Sequence, residues 1–320
     1  MHKRLGLLLK IGISVGILVL IASKTNGRKI AELLTSVGSE TVIIVLGLGI
    51  IQTLAAAYRW VLVMRALDAT VAVWPALQAL YVSLALNQCM PSYVGGDAYR
   101  IYWLYREGTR LAVAARGVVI DRISAIMVLV LMMAAGLPLI FARFPNPAAR
   151  QGLIAVLACS LIGSVAFFAC DALPANWRRL RVVRELAELS AAARRLLLYS
   201  TRAPLIGLLA LVVHGLTAAA MWVLGTSLRL PLTFVDCLLL MPPIMLLAAV
   251  PLSIAGWGVR EGVVVGALSM VGIGTDPALA LSLLIGVATL GNALIGLVPL
   301  VFGGGRFVAR RTSYAATPEM

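Results

Sequence analysis

Six charged side chains stand beside proline- and glycine-marked breaks in an otherwise apolar chain: Asp97, Arg100, Asp121, Arg122, Arg260 and Glu261. An ion in a hydrocarbon layer costs about 2.5–3.5 kcal/mol on insertion scales, so each needs a partner or a polar cavity. Chain neighbours meet that need as Asp97/Arg100, Asp121/Arg122 and Arg260/Glu261. The breaks add a second chemistry. A glycine turn opening into a helix, as at Gly95-Gly96 and Gly256-Trp257-Gly258, presents free backbone N–H groups that favour anions, and a nearby guanidinium grips phosphate as a fork. Asn87, Ser92 and Ser253 add polar atoms in the same segments. Together these residues form a candidate substrate-binding site for an anionic or phosphate-bearing head group. The competing reading is structural: salt bridges that hold broken helices together. Both stay open for Asp121 and Arg122, while Arg260 and Glu261, beside two glycines in a broken helix, read as functional.

The remaining polar residues point away from catalysis, and the chain is not read as an enzyme. A membrane phosphatase needs a histidine near its Pro-Ser turn, and Pro91-Ser92 has none nearby. A metal-dependent lipid transferase needs clustered aspartates at helical spacing, and the glycine turns lack the Lys-Ser/Thr of a nucleotide loop. Cys89, Cys159, Cys170 and Cys237 lie in or beside apolar runs without a CxxC, so neither a disulfide framework nor a metal site follows. No cofactor and no nucleic acid are expected. Arg59, five residues from the end of its apolar run, reads as a snorkelling side chain, His214 as a packing residue, and Trp74 and Trp177 as interface anchors.

The elements that must position these groups are membrane helices. Of 320 residues, 61% are hydrophobic and 12% charged, where a soluble domain carries about a quarter charged. Six runs are long enough to span: residues 5–22, 41–64, 118–140, 152–170, 203–225 and 277–302. Three others, 76–90, 237–250 and 262–273, are too short and read as the arms of two re-entrant hairpins. The first run follows His2-Lys3-Arg4 and, with Lys10 inside it and no small-residue cleavage site, reads as a retained span. The net charge of +14 is topological: with both hairpins re-entrant, most basic residues fall on the side of Arg65, residues 178–202 and the 303–320 tail, which the positive-inside rule makes cytoplasmic. Lys24, Arg28 and Lys29 count against that orientation. The expected product is an all-α polytopic protein of the inner, cytoplasmic membrane, with both termini cytoplasmic and residues 1–320 forming one domain.

The two breaks share a pattern. Pro91 and Pro251 are each followed five residues later by Gly and nine later by Arg, at an offset of half the chain. Interrupted helices at matching places in two inverted halves, about 1–160 and 161–302, point to a midplane transport site. Between the halves, within 175–202, Val182, Leu186, Leu189, Ala193 and Leu196 recur at helical spacing beside Arg178, Arg181 and Arg184, which predicts an amphipathic helix on the cytoplasmic surface.

Three motifs in series, Asn87-(x)3-Pro91-Ser92-(x)2-Gly95-Gly96-Asp97-(x)2-Arg100, Asp121-Arg122, and Pro251-(x)-Ser253-(x)2-Gly256-(x)-Gly258-(x)-Arg260-Glu261, resemble the lysylphosphatidylglycerol synthase transmembrane-domain family of flippase-like proteins. The resemblance spans nearly the whole chain. It implies lipid translocation, with Asp97, Arg100, Asp121, Arg122, Arg260 and Glu261 at the matching polar positions and membrane lipids as partners. Some relatives carry a fused aminoacyl-transferase domain. This chain ends at Met320, soon after its last span, so synthase activity is not expected. The alternatives are a small-solute or ion transporter on the same architecture, and a non-catalytic scaffold for a lipid-pathway enzyme.

Overall fold

The structure, a computed structural model, describes residues 25–89, 94–144, 146–174, 176–249 and 258–298. Among them the regular elements are all helical. Five are long and apolar enough to cross a bilayer: α2 (Ser39–Ala66), α5 (Leu111–Arg143), α6 (Pro147–Ala169), α8 (Ala203–Ser227) and α11 (Thr275–Leu294). The shortest, at 20 residues, rises about 30 Å, the thickness of the hydrocarbon core. The protein is therefore an all-α, multi-pass membrane protein. The expected span 5–22, the end of the run 277–302 and the tail 303–320 lie outside the described residues.

Each expected break is a pair of short helices. α3 (Val73–Cys89) packs on α4 (Val94–Arg106), and α9 (Phe234–Ala248) packs on α10 (Val259–Ser269). Hydropathy misses α4 because Asp97, Arg100 and Arg106 interrupt its apolar residues, yet its backbone bonds close regardless of side-chain polarity. Pro242 and Pro243 lie inside α9, where each removes an intrahelical hydrogen bond.

The packing repeats itself. α2 meets α3, α5 and α11, while α8 meets α9, α11 and α5. α3 touches α11 and α4 touches α5; in turn α9 touches α5 and α10 touches α11. The axis of this exchange is the contact between α2 and α8 themselves, the most extensive between helices among the described residues. Each short pair thus lies against the long helix that follows the other pair in sequence.

Two smaller elements bind the ends. α1 (Gly27–Thr35) starts at Asn26, whose side chain accepts from the Arg28 and Lys29 amides, and Asn26 N donates to Asp276 Oδ1 at 3.1 Å. Arg28 pairs with Glu32 at 3.2 Å and Lys29 with Asp276 at 3.7 Å. Two of the three charges that count against the expected orientation, Arg28 and Lys29, are therefore partly neutralised. At the start of α9, Thr233 and Asp236 form a reciprocal cap, and Arg143 at the end of α5 reaches Asp236 at 2.6 Å.

α7 (Arg181–Arg194) is the expected amphipathic helix, with the later part of its expected face, Leu189, Ala193 and the following Leu196, turned to the bundle. Val182 and Leu186 are exposed, whereas Ala187, Ser190, Ala193 and Leu196 are buried. Small side chains let the helix axis approach the bundle, where Ala193 and Leu196 join a core of Leu62, Val63, Ile120 and Ile206. Packing distance, not maximal apolar area, selects the seam.

Candidate functional site

α2, α4 and α5 bring five charged side chains into one cluster. Asp121 on α5 receives Arg59 Nε from α2 at 2.9 Å on one oxygen, and Arg100 Nη2 from α4 at 2.8 Å on the other. Asp97 on α4 is held by Arg122 of α5 through Nε at 2.9 Å and Nη2 at 3.0 Å, the two-toothed fork of a strong ion pair. Arg100 Nη1 lies 3.5 Å from Asp97 and links the two carboxylates. Arg59, Arg100 and Asp121 are buried, at 5%, 2% and 3% exposure. The charges thus pair across helices: Asp121 with Arg59 and Arg100, and Arg122 with Asp97. The expected Asp121/Arg122 pairing is replaced because adjacent residues on a helix point about 100° apart, whereas Asp97 and Arg100, three apart on one face, keep the expected contact.

This corrects the reading of Arg59. It does not snorkel; it turns inward, because Asp121 offers a charged partner that the nearby interface would replace only with water. Trp60, the next residue, was also not foreseen. Its ring lies 4.0 Å under the Arg100 guanidinium and 5.9 Å from the Trp103 ring, a cation–π contact worth about 2 kcal/mol when desolvated.

Three arginines against two aspartates leave one positive charge in excess. Arg59 Nη1, Arg100 Nε and Trp60 Nε1 are buried without a hydrogen-bond partner. A buried donor left unsatisfied costs about 1–3 kcal/mol. The cluster is therefore short of acceptors and rich in donors.

The glycines act differently from their expected part. Gly95 and Gly96 lie within the first turn of α4, and the Gly96 amide already donates to Asn87 Oδ1 at 2.8 Å. A Cβ at Gly96 would run into the Ser83 carbonyl and hydroxyl and lie 2.7 Å from Asn87 Oδ1. Glycine is needed here for the close approach of α3 and α4. Gly96→Ala should force the arms apart and lower stability by about 1–3 kcal/mol, read as an earlier thermal unfolding transition of the purified protein in detergent. An unchanged transition would contradict this packing.

The second cluster sits at the start of α10. Gly258 has φ +87°, the left-handed conformation that glycine adopts without strain. Its amide donates to Glu261 Oε2 at 2.5 Å, while Arg260 donates to Glu261 Oε1 through Nε at 3.0 Å and Nη2 at 2.5 Å. Glu261 is fully buried. The Arg260 guanidinium lies against Gly286 of α11, where an added Cβ would collide with it. Here the pairing of chain neighbours expected for Arg260 and Glu261 is the one observed. As at Gly96, the amide expected to await an anion is taken by the protein's own side chain.

The two clusters are built on different elements, the first on α2, α4 and α5 and the second on α10 against α11. Ser92, Ser253 and Gly256, with Pro91 and Pro251, lie outside the described residues. Asn292 of α11 was not anticipated: its Nδ2 donates to Thr53 Oγ1 at 3.0 Å and to the Gly49 carbonyl at 3.3 Å, tying α11 to α2. A lone amide within an apolar run was the available signal. His214 is buried, and its Nε2 lies 3.1 Å from the Ala125 carbonyl.

Compared with known proteins, residues 7–296 match the family described as "Lysylphosphatidylglycerol synthase TM region". No curated protein matches the chain.

Proposed function

The chain belongs to the lysylphosphatidylglycerol synthase transmembrane-region family, a membership that ties it to membrane lipid, and from that premise we propose that it translocates an anionic or phosphate-bearing lipid across the cytoplasmic membrane. The observation that carries this reading is the donor-rich cluster. Its surplus of one positive charge matches the single negative charge of a phosphodiester. Its unpartnered Arg59 Nη1 and Arg100 Nε, both buried, are donors to which phosphate oxygens are suited. In this reading Arg100 and Arg260 engage the head-group phosphate in turn, while Asp97, Asp121 and Glu261 hold the guanidinium groups in place when the site is empty. Translocation is the whole task, with no bond made or broken in the lipid.

The exchanged packing supports two inverted halves. α5 begins beside α7, where Arg116 pairs with Glu188, and ends at Arg143 beside the cap of α9. The α3–α4 pair joins the α7 end of α2 to the α7 end of α5, whereas α9–α10 joins the far ends of α8 and α11. We infer that the pairs enter from opposite faces, and that the arginine-rich α7 face is cytoplasmic, as both termini are.

The test is scrambling of acyl-labelled phosphatidylglycerol in vesicles containing the purified protein. Wild type should move the label far faster than protein-free vesicles. Arg122→Gln alters a half-exposed arginine, tolerable to the fold, and should slow it by about tenfold. No acceleration by wild type, or wild-type rates from both Arg122→Gln and a folded Arg100→Gln, would overturn the proposal.

A further inference from the structure

The excess charge of the first cluster lies in its buried half. The outer pair, Asp97 and Arg122, is balanced through its two-toothed fork. Inside, one carboxylate faces two guanidinium groups: Asp121 takes Arg59 at 2.9 Å and Arg100 at 2.8 Å. That triad carries one positive charge too many, on arginines only 5% and 2% exposed. A charge buried without a full counter-ion is the costly case, because the interior returns little of the hydration it has lost.

Three buried N–H groups of the same knot have no partner in the protein: Arg59 Nη1, Arg100 Nε and the indole Nε1 of Trp60. They belong together. Arg59 and Arg100 share the Asp121 carboxylate, while Trp60, next to Arg59 in the chain and 0% exposed, lies 4.0 Å under the Arg100 guanidinium. The carboxylate acceptors at hand are already engaged, since all four oxygens of Asp97 and Asp121 receive arginine N–H groups.

These facts select a ligand chemistry. A water satisfies donors but leaves the charge, and it brings two O–H donors to a site whose acceptors are engaged. Bicarbonate or a protonated phosphate brings an O–H as well. A divalent anion overshoots the charge. A lipid phosphodiester carries the right charge, but its two ester substituents reach donors at this depth only when the helices part. A halide has one negative charge, only accepts hydrogen bonds and is little larger than a water molecule. Guanidinium and indole N–H groups suit it.

We infer that Arg59 Nη1, Arg100 Nε and Trp60 Nε1 hold one halide ion, of the chloride class, as the counter-ion of the buried triad. The inference goes beyond the translocation reading and does not depend on it. The halide balances the closed cluster whether or not a phosphate takes its place when the helices part.

The experiment follows thermal unfolding of the full chain, purified in a neutral detergent, as chloride or bromide replaces gluconate at fixed ionic strength. The wild-type transition should rise with either halide and saturate. Trp60→Phe keeps a ring beneath Arg100 but lacks the N–H, and should raise the half-effective chloride concentration about tenfold. Arg59→Met leaves one arginine on one aspartate, and should abolish the response. Arg184→Gln, which removes an exposed arginine of α7, should keep it. A flat wild-type response, a response unchanged in Trp60→Phe or in a folded Arg59→Met, or its loss in Arg184→Gln would overturn the inference. If Arg59→Met does not fold, Trp60→Phe decides alone. No lipid is transported in this experiment, so a flat chloride response leaves the translocation reading standing, and failed scrambling leaves the halide site standing.

Discussion

Asp121→Asn should destabilise the protein by about 3–5 kcal/mol, the largest single effect expected here. Each carboxylate oxygen of Asp121 holds a different arginine, Arg59 at 2.9 Å and Arg100 at 2.8 Å. An asparagine keeps the shape but removes the charge, and its NH2 group faces a guanidinium donor. Two buried arginines then lose their counter-ion, and breaking one partner out of a buried ion pair is the costly case. Unfolding of the purified chain in mixed micelles reads the loss, and a transition like that of wild type would show that the cluster does not form. Replacing the triad together, as Arg59→Leu/Arg100→Met/Asp121→Leu, should recover most of that stability, because buried ions exchanged for well-packed apolar groups of similar volume are often neutral or stabilising. The same variant should lose lipid movement. A stable triple variant that still scrambled lipid at the wild-type rate would reduce the triad to scaffolding.

Glu261→Gln should be nearly as damaging, for a different geometric reason. The Glu261 carboxylate accepts three N–H groups, one from Gly258 and two from Arg260. A glutamine has one acceptor oxygen, so either the helix start or the arginine loses its partner. The expected cost is about 3 kcal/mol or more, read as loss of folded protein on gel filtration after mild heating. Glu261→Asp keeps the charge but draws it back by one methylene, and should lie between the two. If Gln and Asp variants were equally stable, charge would matter less than reach, contrary to this account. Gly286→Ala offers an independent check on the same cluster, since it crowds Arg260 from α11 without touching Glu261.

How far the sequence reaches can be seen residue by residue. The run 203–225 appears as α8 at Ala203–Ser227, because an apolar stretch of that length has one stable state in lipid. The run 118–140 grows to Leu111–Arg143, since backbone hydrogen bonds continue past the point where hydropathy falls. α4 is absent from the apolar runs for the converse reason, its charges masking a helix that only the Gly95-Gly96 turn announces. Asp97, Arg100, Asp121, Arg260 and Glu261 were all legible as candidates because an ion is conspicuous among apolar neighbours. Arg59 was also visible but misassigned, and Asn292 was passed over.

By itself, the sequence determined that this is a helical membrane protein, where its helices break and which charges are out of place. Those properties follow from transfer free energies, which add residue by residue along one segment. Only the tertiary structure decided which charges pair. Arg59 and Asp121 are 62 residues apart and Arg100 and Asp121 are 21 apart, and no local sum can see such meetings. They depend on the rotation of each helix about its axis, which is set by small-residue contacts such as Gly96 against Ser83. The same packing spent the glycine-turn amides on Asn87 and Glu261, and so moved the available donors from the backbone to the arginines.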